Sequence, residues 1–372
     1  MNAKPKTLVI LSPGFPKDEG DTTCLPLQQV LLKTIKQNHP ELELLIIAFQ
    51  YPFKKRNYSW HGIPVMAFGG RGRGNVLRAY NWAKIWAALT GINKKRNIQG
   101  ILSFWLGECA FIGERFAQTH HLKHYCWILG QDAKPTNRYY QLARLHGESM
   151  LALSDFIASS IYINYGMMPK HIVPGGLDTT MFANGNSERD IDILAAGSLI
   201  TLKQYHLFIE VVCRLRRQNP NIKAVLCGEG PDRTRLTSMI KRLKMDEHIT
   251  LAGELPHADV LKQMQRSKIF LHTSSYEGLG MVCLEALYAG AKVISFVKPM
   301  DAEIANWHIA DSTLTMANIA HDILKDTSTI YSPMLVYDIN DIARRIADLY
   351  AVSPSTIALK RVVMALNESV AL

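Results

Sequence analysis

IFLHTSSYEGLGMVCLEALYAGAKVISF, residues 269–296, reads as strand, glycine turn, helix and strand in direct succession. Ile269–His272 and Lys292–Phe296 are strand-sized apolar runs. Gly280–Ala289 between them has the length and pattern of a helix, so the two strands are expected to be parallel and joined by a helical crossover. Upstream the same unit repeats: strands at Ile191–Ala196, Ala224–Cys227 and Ile249–Ala252 alternate with helices at His206–Gln218, Arg233–Leu243 and Ala258–Arg266.

The first half alternates in the same way. Strands are expected at Thr7–Leu11, Leu42–Phe49, Pro64–Phe68, Gly100–Phe104, Tyr125–Leu129 and Leu151–Leu153. Helices are expected at Leu25–Gln37, Asn75–Thr90, Cys109–Thr119, Asn137–Glu148 and Ser154–Tyr165. This pattern predicts an α/β fold of two doubly wound, Rossmann-like parallel-sheet domains, 1–176 and 177–372, joined near Val173-Pro174-Gly175-Gly176. The tail reads as two helices, Asn340–Tyr350 and Ser355–Asn367, with a C-terminal helix expected to pack back on the first domain. Ligands of open parallel sheets bind beyond the carboxyl ends of the strands, so the expected site is a cleft between two such domains.

At 372 residues with 48% apolar and 20% charged side chains, the chain has the composition of a packed protein and not of a disordered or fibrous one. Its apolar runs are strand-sized, too short to span a bilayer or to serve as a secretory signal. Cys24, Cys109, Cys126, Cys213, Cys227 and Cys283 show neither disulfide nor zinc spacing, which fits a reducing cytoplasm. The net charge of +10 is unevenly placed: residues 1–176 hold 21 Lys and Arg against 10 Asp and Glu, the remainder 21 against 22. A basic first half is expected to face something anionic: lipid headgroups, a polyanion or a phosphorylated substrate.

Four strand-end loops of the second half carry glycine: Gly197-Ser198-Leu199 with Lys203 beyond, Gly228-Glu229-Gly230, Gly253-Glu254-Leu255, and Glu277-Gly278-Leu279-Gly280. Glycine lets backbone approach a ligand closely, and a helix start offers unpaired N–H groups and partial positive charge. With Lys203 adding a full charge, the pattern predicts a nucleotide-diphosphate pocket. Glu277 and Glu285 lie one before the helix and the other two turns into it.

In these flanks the Glu277/Glu285 spacing resembles the retaining glycosyltransferases of GT-B fold, specifically the family 4 (group 1) type. "AAGSLITLKQYHLFIE", "LCGEGPDRTRL" and "ITLAGELPHADVLKQMQRSKIFLHTSSYEGLG" carry the likeness, and it extends more loosely into the first half. The resemblance implies transfer of a sugar from a nucleotide diphosphate, UDP by default, to a glycan or lipid-linked acceptor in cell-surface polysaccharide or glycolipid synthesis. No cofactor or metal is implied beyond the nucleotide sugar. It further implies Glu277 at the donor sugar, and Lys203 at the phosphates. Gly278, Leu279 and Gly280 would give backbone N–H groups, Glu285 would bind the ribose, and the backbone about Glu254 and Leu255 would meet the base. Gly197, Ser198 and Gly228 line the phosphate loops, with Ser198 where an arginine is common. In the first half, Gly14 and Gly20 would occupy the loop that approaches the donor, and Asp132 would join Glu277 and Lys203 as a catalytic residue, beyond Leu129, where a histidine is frequent.

The implied protein is cytoplasmic, peripheral at an anionic membrane face, with no nucleic-acid partner. Rival readings are an epimerase or hydrolase of the same fold, which would change the donor without an acceptor, and a non-catalytic polyanion binder. Gly69-Gly70-Arg71-Gly72-Arg73-Gly74 imitates a dinucleotide loop, but its register places Asn75 or Arg71 where a glycine is required. The segment after Gly290 holds no glycine and departs from the family pattern.

Overall fold

The computed structural model describes residues 5–72, 74–183 and 188–351. It divides into two compact units, one of residues 1–128, 136–151 and 340–372, the other of 129–135 and 152–339. This differs from a single cut at Gly176: the loop Leu129–Pro135 and residues 152–176 group with the second unit.

The first unit holds β1 (Lys6–Gly14), α1 (Pro26–Asn38), β2 (Glu43–Tyr51), β3 (Arg56–Trp60), β4 (Ile63–Ala67) and α2 (Asn75–Lys95). It continues with β5 (Asn97–Phe104), α3 (Glu108–His120), β6 (Lys123–Ile128), α4 (Tyr139–Ala143) and β7 (Met150–Ala152). The first seven strands of its eight-stranded sheet run β3-β4-β2-β1-β5-β6-β7. Counting only the parallel strands, that is the doubly wound order 3-2-1-4-5-6. The central strands read as unbroken apolar runs because helices cover both faces; Leu8–Leu11 is wholly buried. The core gathers Val9, Leu11, Ile47, Phe49, Ile85, Leu89 and Phe116.

Within this core a buried polar chain joins three elements. His124 Nδ1 lies 2.7 Å from Glu114 Oε2 and its Nε2 2.8 Å from Ser103 Oγ, so α3, β6 and β5 are tied together. The last described helix, α11 (Ile339–Tyr350), belongs to this unit from Asn340 onward. Tyr350 Oη donates to Ile101 O at 2.9 Å and its ring meets Tyr125 edge-on. The expected helix Ser355–Asn367 lies outside the described residues.

The second unit holds α5 (Asp155–Tyr165), β8 (His171–Ile172), β9 (Ile191–Ala196), α6 (Tyr205–Arg216), β10 (Ala224–Cys227), α7 (Arg233–Arg242) and β11 (Ile249–Gly253). There follow α8 (His257–Arg266), β12 (Ser267–His272), α9 (Met281–Tyr288), β13 (Lys292–Ser295), β14 (Trp307–Ile309) and α10 (Thr313–Lys325). The sheet order β11-β10-β9-β12-β13-β14 is again 3-2-1-4-5-6, with every pair parallel. Its core collects Ile193, Phe208, Val212, Leu226, Ile269, Leu271 and Ile294. The order reverses between β9 and β12, and the loops leaving those two strands flank the crevice where such sheets bind ligands.

Five elements differ from expectation. The helix expected over Asn137–Glu148 shrinks to α4, because Arg144 turns left-handed (φ 54°) and the Asn137 side chain holds both Leu106 O and Tyr139 N. β3, β8, β14 and α10 were not expected; β3 is a largely exposed antiparallel edge strand, β8 and β14 are two and three residues long, and α10 is a 13-residue helix in the glycine-free segment after Gly290.

Candidate functional site

The site is assembled from the loops after β9, β10, β11 and β12. Gly197 N donates to Cys227 O (2.9 Å), Leu199 N to Glu229 O (2.8 Å) and Gly228 N to Gly253 O (2.7 Å), so three loops are laced through their backbones. Gly228 sits at φ 143°, and a methyl group there would overlap the Gly197 carbonyl oxygen. Gly228→Ala should therefore lower stability by about 2–4 kcal/mol. Denaturant unfolding measures this, and a change below about 0.5 kcal/mol contradicts the lacing.

The loop after β9 makes one tight turn, Thr201–Lys203, and Gln204 reverses it in a left-handed conformation (φ 50°) before α6 begins. Thr273 Oγ1 donates to Lys203 O (2.7 Å) and Ser275 N to Leu202 O (3.1 Å), fastening this turn to the loop after β12. The fastening brings Lys203 Nζ to 2.6 Å from Glu277 Oε2, across 74 residues of sequence. His272, at the end of β12 and 4% exposed, places Nε2 at 3.3 Å from the same oxygen. Burial pushes the Glu277 carboxyl up, but the His272 hydrogen bond and the Lys203 ammonium outweigh it and hold it at about 2. His272 is moved the other way: burial lowers its pKa against the pull of Glu277, so a neutral ring donates to an ionised carboxylate. Tyr205, buried at the start of α6, lies close beneath Gly197, and burial followed by the Glu277 charge raises its phenol.

Gly278 is pressed against a second backbone. A methyl there would overlap Leu129 O, while Ser154 Oγ donates to Gly278 O and Tyr276 Oη donates to Gly130 O at 2.9 Å. Leu279 is buried as a plug, leaving its backbone for any contact. Gly280, at φ 77°, opens α9 with no capping side chain and no acid in the first turn. The first N–H groups of α9 and the positive end of its dipole therefore border the Lys203–Glu277 pair.

Glu285 lies just over one turn into α9, 16% exposed, and its Oε1 meets His257 Nε2 at 2.9 Å. That hydrogen bond raises the His257 pKa against partial desolvation. A histidine whose folded pKa is raised stabilises the fold fully below its unfolded value, near 6.5, and loses that contribution as pH rises through the raised value. The stability difference between wild type and His257→Asn should shrink from about pH 5.5 to about pH 8.5, by about 0.5 kcal/mol for so exposed a ring. Paired thermal melts across that range measure it; a difference that grows with pH contradicts the pairing.

The remaining expected residues fall as follows. Ser198 is exposed at the loop after β9. Glu254 is exposed and Leu255 half-buried where β11 turns into α8, beside Gly253 at φ 76°. Asp132 accepts from Gly130 N (2.7 Å) and Leu129 N (3.2 Å), so its carboxylate shapes the loop that meets Tyr276 and Gly278. Gly14 and Gly20 lie in the first unit, Gly14 closing β1 against Tyr51 and Gly20 exposed in a loop that Asp21 braces. The sequence reading passed over His272, Tyr205 and His257. A histidine closing an otherwise apolar strand was the one local signal among them. It also passed over Asp190-Ile191-Asp192, an Asp-x-Asp spacing at the amino end of β9, where Arg266 holds Asp190 and Lys268 holds Asp192 at 2.8 Å.

Comparison with known proteins bears on the family likeness and the fold. The family model described as glycosyl transferases group 1 matches residues 178–314. The chain is 25% identical over 164 residues to a phosphatidylinositol N-acetylglucosaminyltransferase subunit from Arabidopsis thaliana, covering 43% of this chain and 37% of that protein. It is 25% identical over 240 residues to the putative colanic acid biosynthesis glycosyltransferase WcaL of Salmonella typhimurium, covering 58% and 59%. The matches thus span from about a third to somewhat over half of these relatives' length. The solved structure of Anabaena HepE in complex with UDP and glucose superposes with a TM-score of 0.67 at 17% identity, over 92% of this chain and 98% of that one. That likeness establishes the GT-B fold.

Proposed function

We propose that this chain, whose residues 178–314 match the glycosyl transferases group 1 model and whose fold is GT-B, is a glycosyltransferase that moves a sugar from a nucleotide-diphosphate donor to a hydroxyl acceptor with retention of configuration. The observation that carries the reading is the convergence of Lys203, His272 and the start of α9 on Glu277 at the switch between β9 and β12. Breaking the bond to the leaving diphosphate builds negative charge on it. In this reading Lys203 and the first N–H groups of α9 are the groups that meet that charge.

Glu277 is ionised and held from two sides, which suits it to accept hydrogen bonds from sugar hydroxyls. In this reading Glu285 takes the ribose and the Gly253–Leu255 backbone the base. The leaving phosphate is the group that takes the acceptor's proton on the same face, so no separate protein base is assigned and no metal is required. UDP is the expected nucleotide, in keeping with the UDP held by HepE. The acceptor is a glycan or a lipid-linked saccharide, in keeping with the saccharide biosynthesis named for WcaL.

Thermal melts against a panel of UDP, GDP and ADP sugars test the donor, since a ligand bound only by the folded state raises the melting temperature. A UDP-sugar at about a hundredfold its Kd should stabilise by about 2.7 kcal/mol. NMR of the product's anomeric proton tests retention. Stabilisation by none of the panel, or an inverted product, contradicts the proposal; epimerised donor without acceptor favours the rival enzyme.

A further inference from the structure

The basic excess of the chain is concentrated far more sharply than its halves suggest. Residues 44–107 contain ten Lys and Arg and no Asp or Glu. Their longest element is α2, 21 residues with four basic side chains and no acid. Its inner face supplies Ile85 and Leu89 to the core, with Trp82 and Trp86 packed against them. Its outer face is not correspondingly polar. Val76, Leu77 and Tyr80 are 83%, 52% and 60% exposed, Ala79, Ala83 and Ala87 continue the face, and its charges are all basic: Lys84, lying over the Tyr80 ring at 3.9 Å, and the exposed Lys94 and Lys95 of the last turn. A helix whose core-packed face is apolar and whose outer face mixes exposed apolar side chains with lysines has the makeup of one that lies at the boundary of an apolar medium.

The turn after β2 extends this face. Arg71 Nε donates to Phe53 O at 2.8 Å, and Gly69 leaves no room between Lys55 N and Phe53 O, so the loop entering α2 rests on Phe53–Lys55. Phe53 is 57% exposed, and Lys54 and Lys55 are exposed beside it. Glu108, the next acid in sequence, is taken by the Gln50 amide and the Trp82 indole.

We infer that this face, the outer side of α2 with the Phe53–Lys55 turn, docks the protein on an anionic phospholipid bilayer. Exposed aliphatic and aromatic side chains set among lysines, with a tyrosine at the margin, are what an interfacial helix buries at the headgroup boundary. The absence of acid over 64 residues selects a negatively charged surface over a neutral one. The face lies wholly in the first unit.

Sedimentation of the full chain with vesicles tests this, using phosphatidylcholine alone and phosphatidylcholine mixed with phosphatidylglycerol, at low and high salt. The protein should bind the mixed vesicles, bind the neutral ones at least about tenfold less, and weaken as salt rises. Leu77→Asp, Tyr80→Asp and the pair Lys54→Glu with Lys55→Glu should each lower the bound fraction about tenfold, with unchanged circular dichroism and melting, because these side chains are exposed. Lys241→Glu on α7 serves as the control and should bind as wild type. Equal binding to both vesicles, full binding by Leu77→Asp, or an equal loss in the control overturns the inference. A wild-type dimer that Leu77→Asp splits, with no vesicle binding, assigns the face to a second copy instead. The readout needs no sugar donor, so its outcome is separate from that of the transferase reading.

Discussion

Glu277→Ala should abolish sugar transfer, lowering kcat by about 10³-fold, while the far-ultraviolet spectrum stays that of the folded protein. The carboxylate is the point on which Lys203 and His272 converge, and its pKa of about 2 keeps it ionised throughout the range in which an enzyme is assayed. Removing it deletes the hydrogen-bond acceptor proposed for the donor sugar. It also leaves the Lys203 ammonium, only 20% exposed, without its partner. That second effect costs about 1–2 kcal/mol of stability, so Glu277→Gln, which keeps the shape and loses the charge, is the cleaner companion. Both variants should bind nucleotide and fail in turnover. Quantifying free UDP and glycosylated product by NMR checks this, and turnover within tenfold of wild type in either variant overturns the assignment. The same pair has an acid signature. A carboxyl whose folded pKa is depressed stabilises the fold above its unfolded value, 4.5, and loses that contribution as pH falls towards about 2.

Lys203→Met should lower kcat/KM by about 10²–10³-fold, the usual effect of removing one preorganised group aimed at developing charge. Methionine fills the space of the lysine stem, so the turn fastened by Thr273 and Ser275 through the backbone should persist. What is lost is the one ammonium within hydrogen-bond reach of Glu277 among the described residues. The free enzyme stores that ammonium on Glu277, and a bound diphosphate would draw on the same positive charge. Lysine and glutamate are thus expected to act as one unit, and the double variant should lose far less than the product of the two single losses. Steady-state kinetics of the two singles and the double read this, and additive losses contradict it.

Much of the fold was legible because helix and strand periods alternate without interruption, and because doubly wound strands are buried on both faces and read as solid apolar runs. Where that signal fades, legibility fades with it. β3 is RNYSW, an edge strand that keeps polar side chains in solvent and so carries no apolar run. The segment 137–148 is rich in helix-forming residues, yet Asn137 and the left-handed Arg144 confine the helix to five residues. Residues 152–165 were assigned to the first domain by order along the chain, whereas Ser154 bonds Gly278, 124 residues away. In the site, glycines that must admit backbone or turn left-handed, such as Gly228 and Gly280, were visible as letters at strand ends. Pairings made across the fold were not. No local pattern announces that Lys203 closes on Glu277, that His257 answers Glu285, or that Asp132 spends its carboxylate on its own loop.

Lys203 and the start of α9 are expected to form a seat for a diphosphate. Calorimetric titration of UDP and UMP into wild type and Lys203→Met tests it most directly. Wild type should bind UDP at least about tenfold more tightly than UMP, because only UDP carries the second phosphate, and Lys203→Met should erase most of that preference. Equal affinity of wild type for UDP and UMP, or a preference that survives intact in Lys203→Met, would contradict it.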